Sequence, residues 1–128
     1  MVQQVTEGVN IIVESFYQAA HSNPLNSEYL FAYRITIENK SDYPIKLWSR
    51  HWHIIDSNGT HREVEGDGVV GQQPVIEPGQ QYRYTSASNL RSEIGKMYGT
   101  YRVENLYNKK QFQVAIPEFM LVAPAKLN

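Results

Sequence analysis

The stretch "YLFAYRITI", residues 29–37, decides the fold class, because large apolar side chains alternate in it with polar or small ones. One parity holds Tyr29, Phe31, Tyr33, Ile35 and Ile37. A period of two is that of a β-strand with one buried face. The same period occurs in residues 8–16. The sequence therefore predicts two half-buried strands, separated by a polar loop that contains a proline.

Further strands are predicted at residues 45–56, 60–65, 81–86, 97–106 and 111–121. Asn58-Gly59 is a strong hairpin signal, because both residues tolerate positive φ. Residues 87–96, "ASNLRSEIGK", are polar and could hold one short helical turn. Turn signals recur about every 8–12 residues and no long helical period is present. This pattern predicts an all-β fold, an immunoglobulin or fibronectin type III-like β-sandwich of about seven or eight antiparallel strands.

Composition limits the classes of function. A chain of 128 residues fits a single domain over residues 1–128. Its net charge of −1 gives no basic field, so we expect no nucleic-acid partner. No stretch approaches the roughly 20 apolar residues that span a bilayer, so we expect no membrane insertion. The chain has no cysteine, which excludes thiolate sites and disulfides and suits a reducing compartment; we expect a cytoplasmic protein.

Three glycines in "EGDGVVGQQP", residues 65–74, have the G-x-G-x-x-G spacing of a dinucleotide-binding turn. That site needs a helix directly after the last glycine, to hold the pyrophosphate at its N-terminus. Pro74 and Pro78 leave no room for a helix. Two interpretations stay open: the glycines supply positive φ in an inter-strand loop, or their N–H groups form an anion-binding concavity. Glu65 and Asp67 place negative charge where an anion would have to bind.

The segment "LWSRHWHIID", residues 47–56, has no purely apolar face if it is a regular strand. This mixture indicates a bulge or a register change, which commonly redirects side chains near a site. We expect Trp52 and Ile54 in the core. We expect Arg50 to reach the sheet rim or the acidic loop at Glu65 and Asp67.

His51 and His53 are two residues apart on this strand and point the same way, so they could share a divalent metal such as magnesium or cobalt. Asp67 is the third weak candidate, and His61, Glu63 and Asp56 are further possible ligands. Two histidines on the solvent face of a strand are the simpler interpretation, and we predict no cofactor. No serine has a nucleophile-elbow setting and the carboxylates are scattered, so we predict that the protein is not an enzyme.

Five segments, in this order, carry a family resemblance: "SRHWHIID", "EGDGVVGQQPVIEPG", "YTSASNL", "YGTY" and "FQVAIPEFML". Together they resemble the ApaG family over residues 5–122. The resemblance implies a fibronectin type III-like sandwich of bacterial origin, related to interaction modules in some F-box proteins and in a DNA polymerase delta-interacting protein. It also implies an association with cobalt and magnesium resistance, which for a small domain without membrane segments must be indirect. The chain departs from the family pattern at Ala87 and in "LRSEIG".

Our first functional hypothesis is a non-catalytic module that binds an unidentified protein partner. The loop would present Val69 and Val70, both expected to be exposed, to that partner. The alternative hypothesis is a sensor that binds a phosphorylated nucleotide or pyrophosphate at the loop, with or without a divalent metal. A homodimer is also plausible, because sandwich edge strands pair readily. The predicted binding residues are Arg50, His51, Gly66, Asp67, Gly68, Val69, Val70, Gly71, Gln73, Pro74, Tyr84, Thr85 and Ser86.

Overall fold

The computed structural model describes residues 1–124. Two antiparallel sheets, of four and five strands, pack face to face and confirm the predicted β-sandwich. The strands are β1 (Val2–Thr6), β2 (Val9–Tyr17), β3 (Tyr29–Asn39), β4 (Ile45–Asp56), β5 (His61–Asp67), β6 (Val75–Ile76), β7 (Gln81–Leu90), β8 (Ile94–Asn105) and β9 (Gln111–Val122). The first sheet has the order β1-β2-β3-β7 and the second the order β5-β4-β8-β9, with β6 pairing β4.

The core lies between the sheets and is built from the alternating positions of the long strands. In β3, Phe31, Tyr33, Ile35 and Ile37 are all buried, as their shared parity predicts. Across the core, Trp52 packs against Tyr33, with ring centroids 5.4 Å apart in an edge-to-face arrangement. The central strands of both sheets therefore meet through aromatic side chains.

The expected irregularity in β4 is a bulge at Trp48. Leu47 pairs with Val103 of β8, whereas Ser49 pairs with Arg102, so Trp48 is the extra residue. Before the bulge Leu47 faces the core, and after it Trp52 and Ile54 do. The bulge explains why this segment has no apolar face over its whole length.

The two edges of the sandwich differ. On one side β1 and β2 contact β9: the Ala115 N–H donates to Thr6 Oγ1 at 3.2 Å, and Ser15 Oγ donates to the Met120 carbonyl at 3.2 Å. On the other side, β7 and β5 are the edge strands of their sheets. Arg62 of β5 reaches across this gap to the carbonyl of Asn89 in β7, at 2.5 Å. This second side is called the open edge below.

Three features differ from expectation or add to it. The prediction of a short helical turn within residues 87–96 is wrong. Strand β7 extends to Leu90, whose side chain is buried, and β8 begins at Ile94. Strand β1 was not expected, because "VQQVT" shows no clear alternation. Single 3-10 turns occur at Ala19–His21 and Pro24–Asn26.

Among residues 1–124, no helix has the length and hydropathy needed to cross a membrane.

Candidate functional site

The segment that begins with the last two residues of β5, residues 66–74, is called the glycine loop. Its tip is a two-residue turn in which the Val69 N–H donates to the Gln72 carbonyl at 2.8 Å and the Gln72 N–H donates back at 3.0 Å. The central residues Val70 and Gly71 have φ of 46° and 77°. Positive φ at both positions is the pattern of a tight hairpin turn that matches the twist of its strands. The loop is therefore a structured hairpin.

The first two loop glycines have different structural roles. Gly68 has φ 66°, and a Cβ there would lie 2.2 Å from the Gln72 carbonyl oxygen. Gly66 has an ordinary φ, but a Cβ there would lie 2.8 Å from Arg50 Nη1. Arg50 Nη1 donates to the carbonyls of Asp67 and Gly68, each at 3.1 Å. Arg50 thus reaches the acidic loop, as expected, but it binds backbone carbonyls there.

The two loop valines have opposite environments. The expectation that Val69 is exposed is wrong, because its side chain is 0% exposed and belongs to the core. Its backbone turns inward where the Gly68 N–H donates to the Trp48 carbonyl at 2.9 Å, which fixes the loop against β4. Val70 is 61% exposed. A β-branched residue at positive φ is unfavourable, so Val70 is both strained and exposed.

A cleft lies between the sheets at the open edge, beside Val70. It consists of two neighbouring hollows of about 240 Å³ and 160 Å³. Residues common to both hollows are Tyr33, Arg50, Trp52 and Ser86. The larger hollow adds Val64 and Met97, and the smaller adds Val69, Val70 and Tyr84. The cleft therefore combines aromatic rings, aliphatic side chains and a few polar groups, as binding pockets commonly do.

The phenols around the cleft stay neutral at physiological pH. Burial raises the pKa of Tyr33, although a hydrogen bond with Ser86 and the charge of Arg50 act in the opposite direction. Burial also raises the pKa of Tyr84 and of Tyr101, whose hydroxyl groups bond to each other. Of these phenols, Tyr33 lines both hollows, and its neutral hydroxyl could hydrogen-bond to a ligand.

The outer face of the second sheet carries a separate hollow of about 380 Å³, called the outer hollow. Its lining is polar: Ser49, Arg50, His51, Glu65, Gly66, Asp67, Thr100, Arg102 and Gln113. Arg102 Nη1 donates to Gln111 Oε1 at 2.8 Å, and its Nε donates to Ser49 Oγ at 3.3 Å. Cationic and anionic groups thus face each other across this hollow.

Beside the outer hollow, His51, His53 and Glu63 offer ligand atoms that all lie within 4.8 Å of one another. The hydrogen bond from His51, which is the largest cause, and the neighbouring histidines lower the pKa of the Glu63 carboxyl. Asp67, named as the third candidate from the sequence, is outside this group, and Glu63 takes its place. Asp56 is buried on the core side, where it accepts hydrogen bonds from the Arg91 N–H and Ser92 Oγ.

The structure brings only part of the predicted residue set together. Val70, Arg50, Tyr84 and Ser86 meet at the cleft. His51 and Asp67 line the outer hollow on the opposite face of the second sheet. Thr85 is exposed and pairs with Arg34 of β3, while its neighbours Tyr84 and Ser86 point toward the cleft.

The remaining loop residues hold the hairpin in place. Gln73 Nε2 donates to the Trp48 carbonyl at 3.1 Å, and the Pro74 carbonyl accepts from the Leu47 N–H at 3.0 Å. The N–H groups of Gly68, Val69 and Gln72 are used within the protein, so they are not directed at an anion. Sequence reasoning did not select Tyr33 for the site, although its parity in β3 already placed it on the inner face.

Fold and site together define a class of protein: a small two-sheet β-sandwich with a glycine-rich hairpin beside its open edge. Residues 19–105 match the sequence model of the ApaG domain. The chain belongs to the ApaG family. This confirms the resemblance carried by its sequence motifs.

Individual relatives agree over nearly the whole chain. Protein ApaG of Chromohalobacter salexigens is 41% identical over 127 residues, which is 99% of this chain and 100% of that protein. Protein ApaG of Brucella canis is 42% identical over 124 residues, 97% of this chain and 95% of that protein. A crystal structure of an ApaA protein from Bordetella pertussis superposes with a TM-score of 0.88 at 40% identity, covering 91% of this chain and 94% of that one.

Proposed function

We propose that the protein is a non-catalytic interaction module that binds a partner protein at its open edge. The binding surface consists of Val70 at the tip of the glycine loop and the cleft beside it. A partner that inserts an apolar side chain into the cleft would cover Val70 and contact the rims of Trp52 and Tyr84. The absence of cysteine suits a reducing compartment, and we place this module in the cytoplasm.

The observation that carries the proposal is that Val70 is both exposed and held at positive φ. A β-branched residue at φ 46° is strained, and a valine that is 61% exposed gains little from burial. Asparagine or glycine would suit this position better for stability alone. Strained residues cluster at ligand-binding positions, where the strain is kept for function.

The surroundings of Val70 are fixed by the protein itself. Arg50 holds the carbonyls of Asp67 and Gly68, and the Gly68 N–H bonds to the Trp48 carbonyl. A rigid support reduces the entropy lost when a partner binds. The loop can therefore present Val70 in one orientation.

The test uses Val70→Asn, because asparagine tolerates positive φ and removes the apolar contact. The variant should be at least as stable as the parent protein, and it should lose the partner in quantitative pull-downs from the cytoplasm of the source cell. Val75→Asn is the matched control, since Val75 is 49% exposed and lies outside the cleft. If Val70→Asn captures the same proteins in the same amounts as the parent and the control, the assignment of the site fails.

The outer hollow supports a second candidate, a sensor for a phosphorylated nucleotide or pyrophosphate. Arg102 could meet phosphate oxygens, and a bound Mg²⁺ could bridge the ligand to Glu65 and Asp67. In an amide chemical-shift titration with magnesium pyrophosphate, this candidate requires saturable shifts at Ser49, Thr100 and Arg102. The interaction module requires these amides to stay unshifted. Under either candidate, we propose that any link to cobalt and magnesium homeostasis is indirect.

A further inference from the structure

We propose that His51, His53 and Glu63 bind a first-row transition-metal ion, such as Zn²⁺, on the outer face of the second sheet. This site is independent of the interaction surface, which lies at the cleft. The register of two neighbouring strands assembles the site. His53 of β4 pairs directly with Glu63 of β5, and His51 pairs with Glu65. Paired residues of antiparallel strands point to the same face, so all these side chains project outward together.

The separations between the ligand atoms fit a metal ion. His51 Nε2 is 2.9 Å from Glu63 Oε1, and His53 Nδ1 is 3.7 Å from the same oxygen. Zn²⁺ binds nitrogen and oxygen at about 2.0–2.2 Å, which places tetrahedral ligand atoms roughly 3.3–3.6 Å apart. The observed distances lie on both sides of this range, so small side-chain rotations complete the geometry.

A fourth ligand is available next to these three. His61 Nε2 lies 3.1 Å from His53 Nδ1. His61 is exposed at the start of β5, so its ring can exchange this hydrogen bond with His53 for a bond to the ion. Water can fill the same position, as it does in zinc sites with three protein ligands.

The surrounding structure holds the ligands in place. The His53 ring stacks on Tyr98 of β8, with centroids 4.8 Å apart and planes 9° from parallel. The His51 ring stacks on the His53 ring, with centroids 4.7 Å apart. His51 Nδ1 also lies 3.1 Å from Glu65 Oε1. A carboxylate on the second nitrogen of a ligand histidine fixes its tautomer and raises its basicity, as commonly occurs around bound zinc.

The donor set selects the class of metal. Imidazole nitrogen suits zinc, copper, nickel and iron, whereas magnesium prefers oxygen ligands and retains its water. Glu63 and Glu65 supply two negative charges beside the ion. The nearby cation Lys96, on β8, is ion-paired with Glu118 of β9 at 3.2 Å. The site is therefore suited to a divalent transition metal in preference to Mg²⁺.

Isothermal titration of the untagged full chain with ZnCl₂ tests the site. We expect one Zn²⁺ per chain, with no competition from a large excess of Mg²⁺. Replacing a residue that merely supports a ligand costs about 10–100-fold in metal affinity, so His53→Ala and Glu63→Gln should each weaken Zn²⁺ binding by at least about tenfold. Glu63 is exposed, so Glu63→Gln keeps the test valid if His53→Ala misfolds.

His21→Ala is the matched control, because His21 is the one histidine of the sequence outside the proposed site and lies in an exposed 3-10 turn. This variant and Val70→Asn should bind Zn²⁺ as the parent does. The site is refuted if Mg²⁺ competes equally with Zn²⁺, or if Glu63→Gln and a folded His53→Ala both retain the parent affinity. It is also refuted if His21→Ala loses as much affinity as the site variants.

Discussion

The guanidinium of Arg50 occupies the space that a side chain on Gly66 would need. The two residues pair across β4 and β5, and a Cβ on Gly66 would lie 2.8 Å from Nη1 of Arg50. The guanidinium is held by the carbonyls of Asp67 and Gly68. The first glycine of the G-x-G-x-x-G motif is therefore needed to make room for the Arg50 side chain, and a bound phosphate is not required to explain it.

Gly66→Ala should displace the Arg50 guanidinium and break its two hydrogen bonds. Hydrogen bonds to charged groups contribute about 1.5–3 kcal/mol when buried, and Arg50 is only half-buried, so we expect a loss of about 1–2 kcal/mol in the free energy of unfolding. Urea denaturation measures this loss. In an Arg50→Ala background the same glycine substitution should cost much less, because the clash is gone. Equal costs in both backgrounds would contradict the explanation.

Gly68→Ala should be considerably more destabilising than Gly71→Ala. Both positions have positive φ, which costs roughly 1–2 kcal/mol for a residue with a Cβ. Within residues 1–124, and apart from Gly71 and its two chain neighbours, no atom lies within 4 Å of the carbon added at Gly71, whereas at Gly68 the carbon would lie 2.2 Å from the Gln72 carbonyl oxygen. Overpacking adds about 1–3 kcal/mol at Gly68. Thermal and urea unfolding of the two variants checks the order, and similar losses would show that the turn relaxes freely.

The period of two in the sequence was sufficient to predict the sandwich, because burial of alternate residues is a local property of each strand. Trp52 and Ile54 were placed in the core for the same reason. Strand β1 was missed because it lies at a sheet edge, where no face is fully buried and the sequence need not alternate.

The candidate site was only partly predictable, because its residues come together through tertiary contacts. Val69 lies between glycines and appears exposed in sequence, but the hydrogen bond from Gly68 to Trp48 turns it into the core. The motif "YTS" suggested a common surface for Tyr84, Thr85 and Ser86. Adjacent residues of a strand point to opposite faces, so Thr85 leaves that surface. Strand parity alone could have corrected this.

The buried hydroxyl pair of Tyr84 and Tyr101 should show strong coupling between substitutions. Tyr101 is 0% exposed, so Tyr84→Phe removes the partner of a phenol that water does not reach. Leaving a buried polar group unsatisfied costs about 1–3 kcal/mol, whereas replacing both partners by apolar groups can be nearly neutral. The double variant Tyr84→Phe/Tyr101→Phe should therefore be more stable than Tyr84→Phe alone. Urea unfolding of Tyr84→Phe, Tyr101→Phe and the double variant measures the coupling, and additive losses would contradict it.

The same pair should make the protein sensitive to alkaline pH. Burial raises the pKa of Tyr84 and of Tyr101 in the folded state, while the phenols of the unfolded chain keep the usual pKa of about 10. Tyr33 and Arg50 lie nearby and modify both values, but burial is the largest cause. Above pH 10 the unfolded chain loses these protons and the folded protein retains them, so stability is fully present below pH 10 and falls as pH rises. The double phenylalanine variant lacks both phenols, so its free energy of unfolding should fall less steeply between pH 9 and 11, relative to pH 7, than that of the parent. Identical slopes would show that other groups cause the alkaline loss.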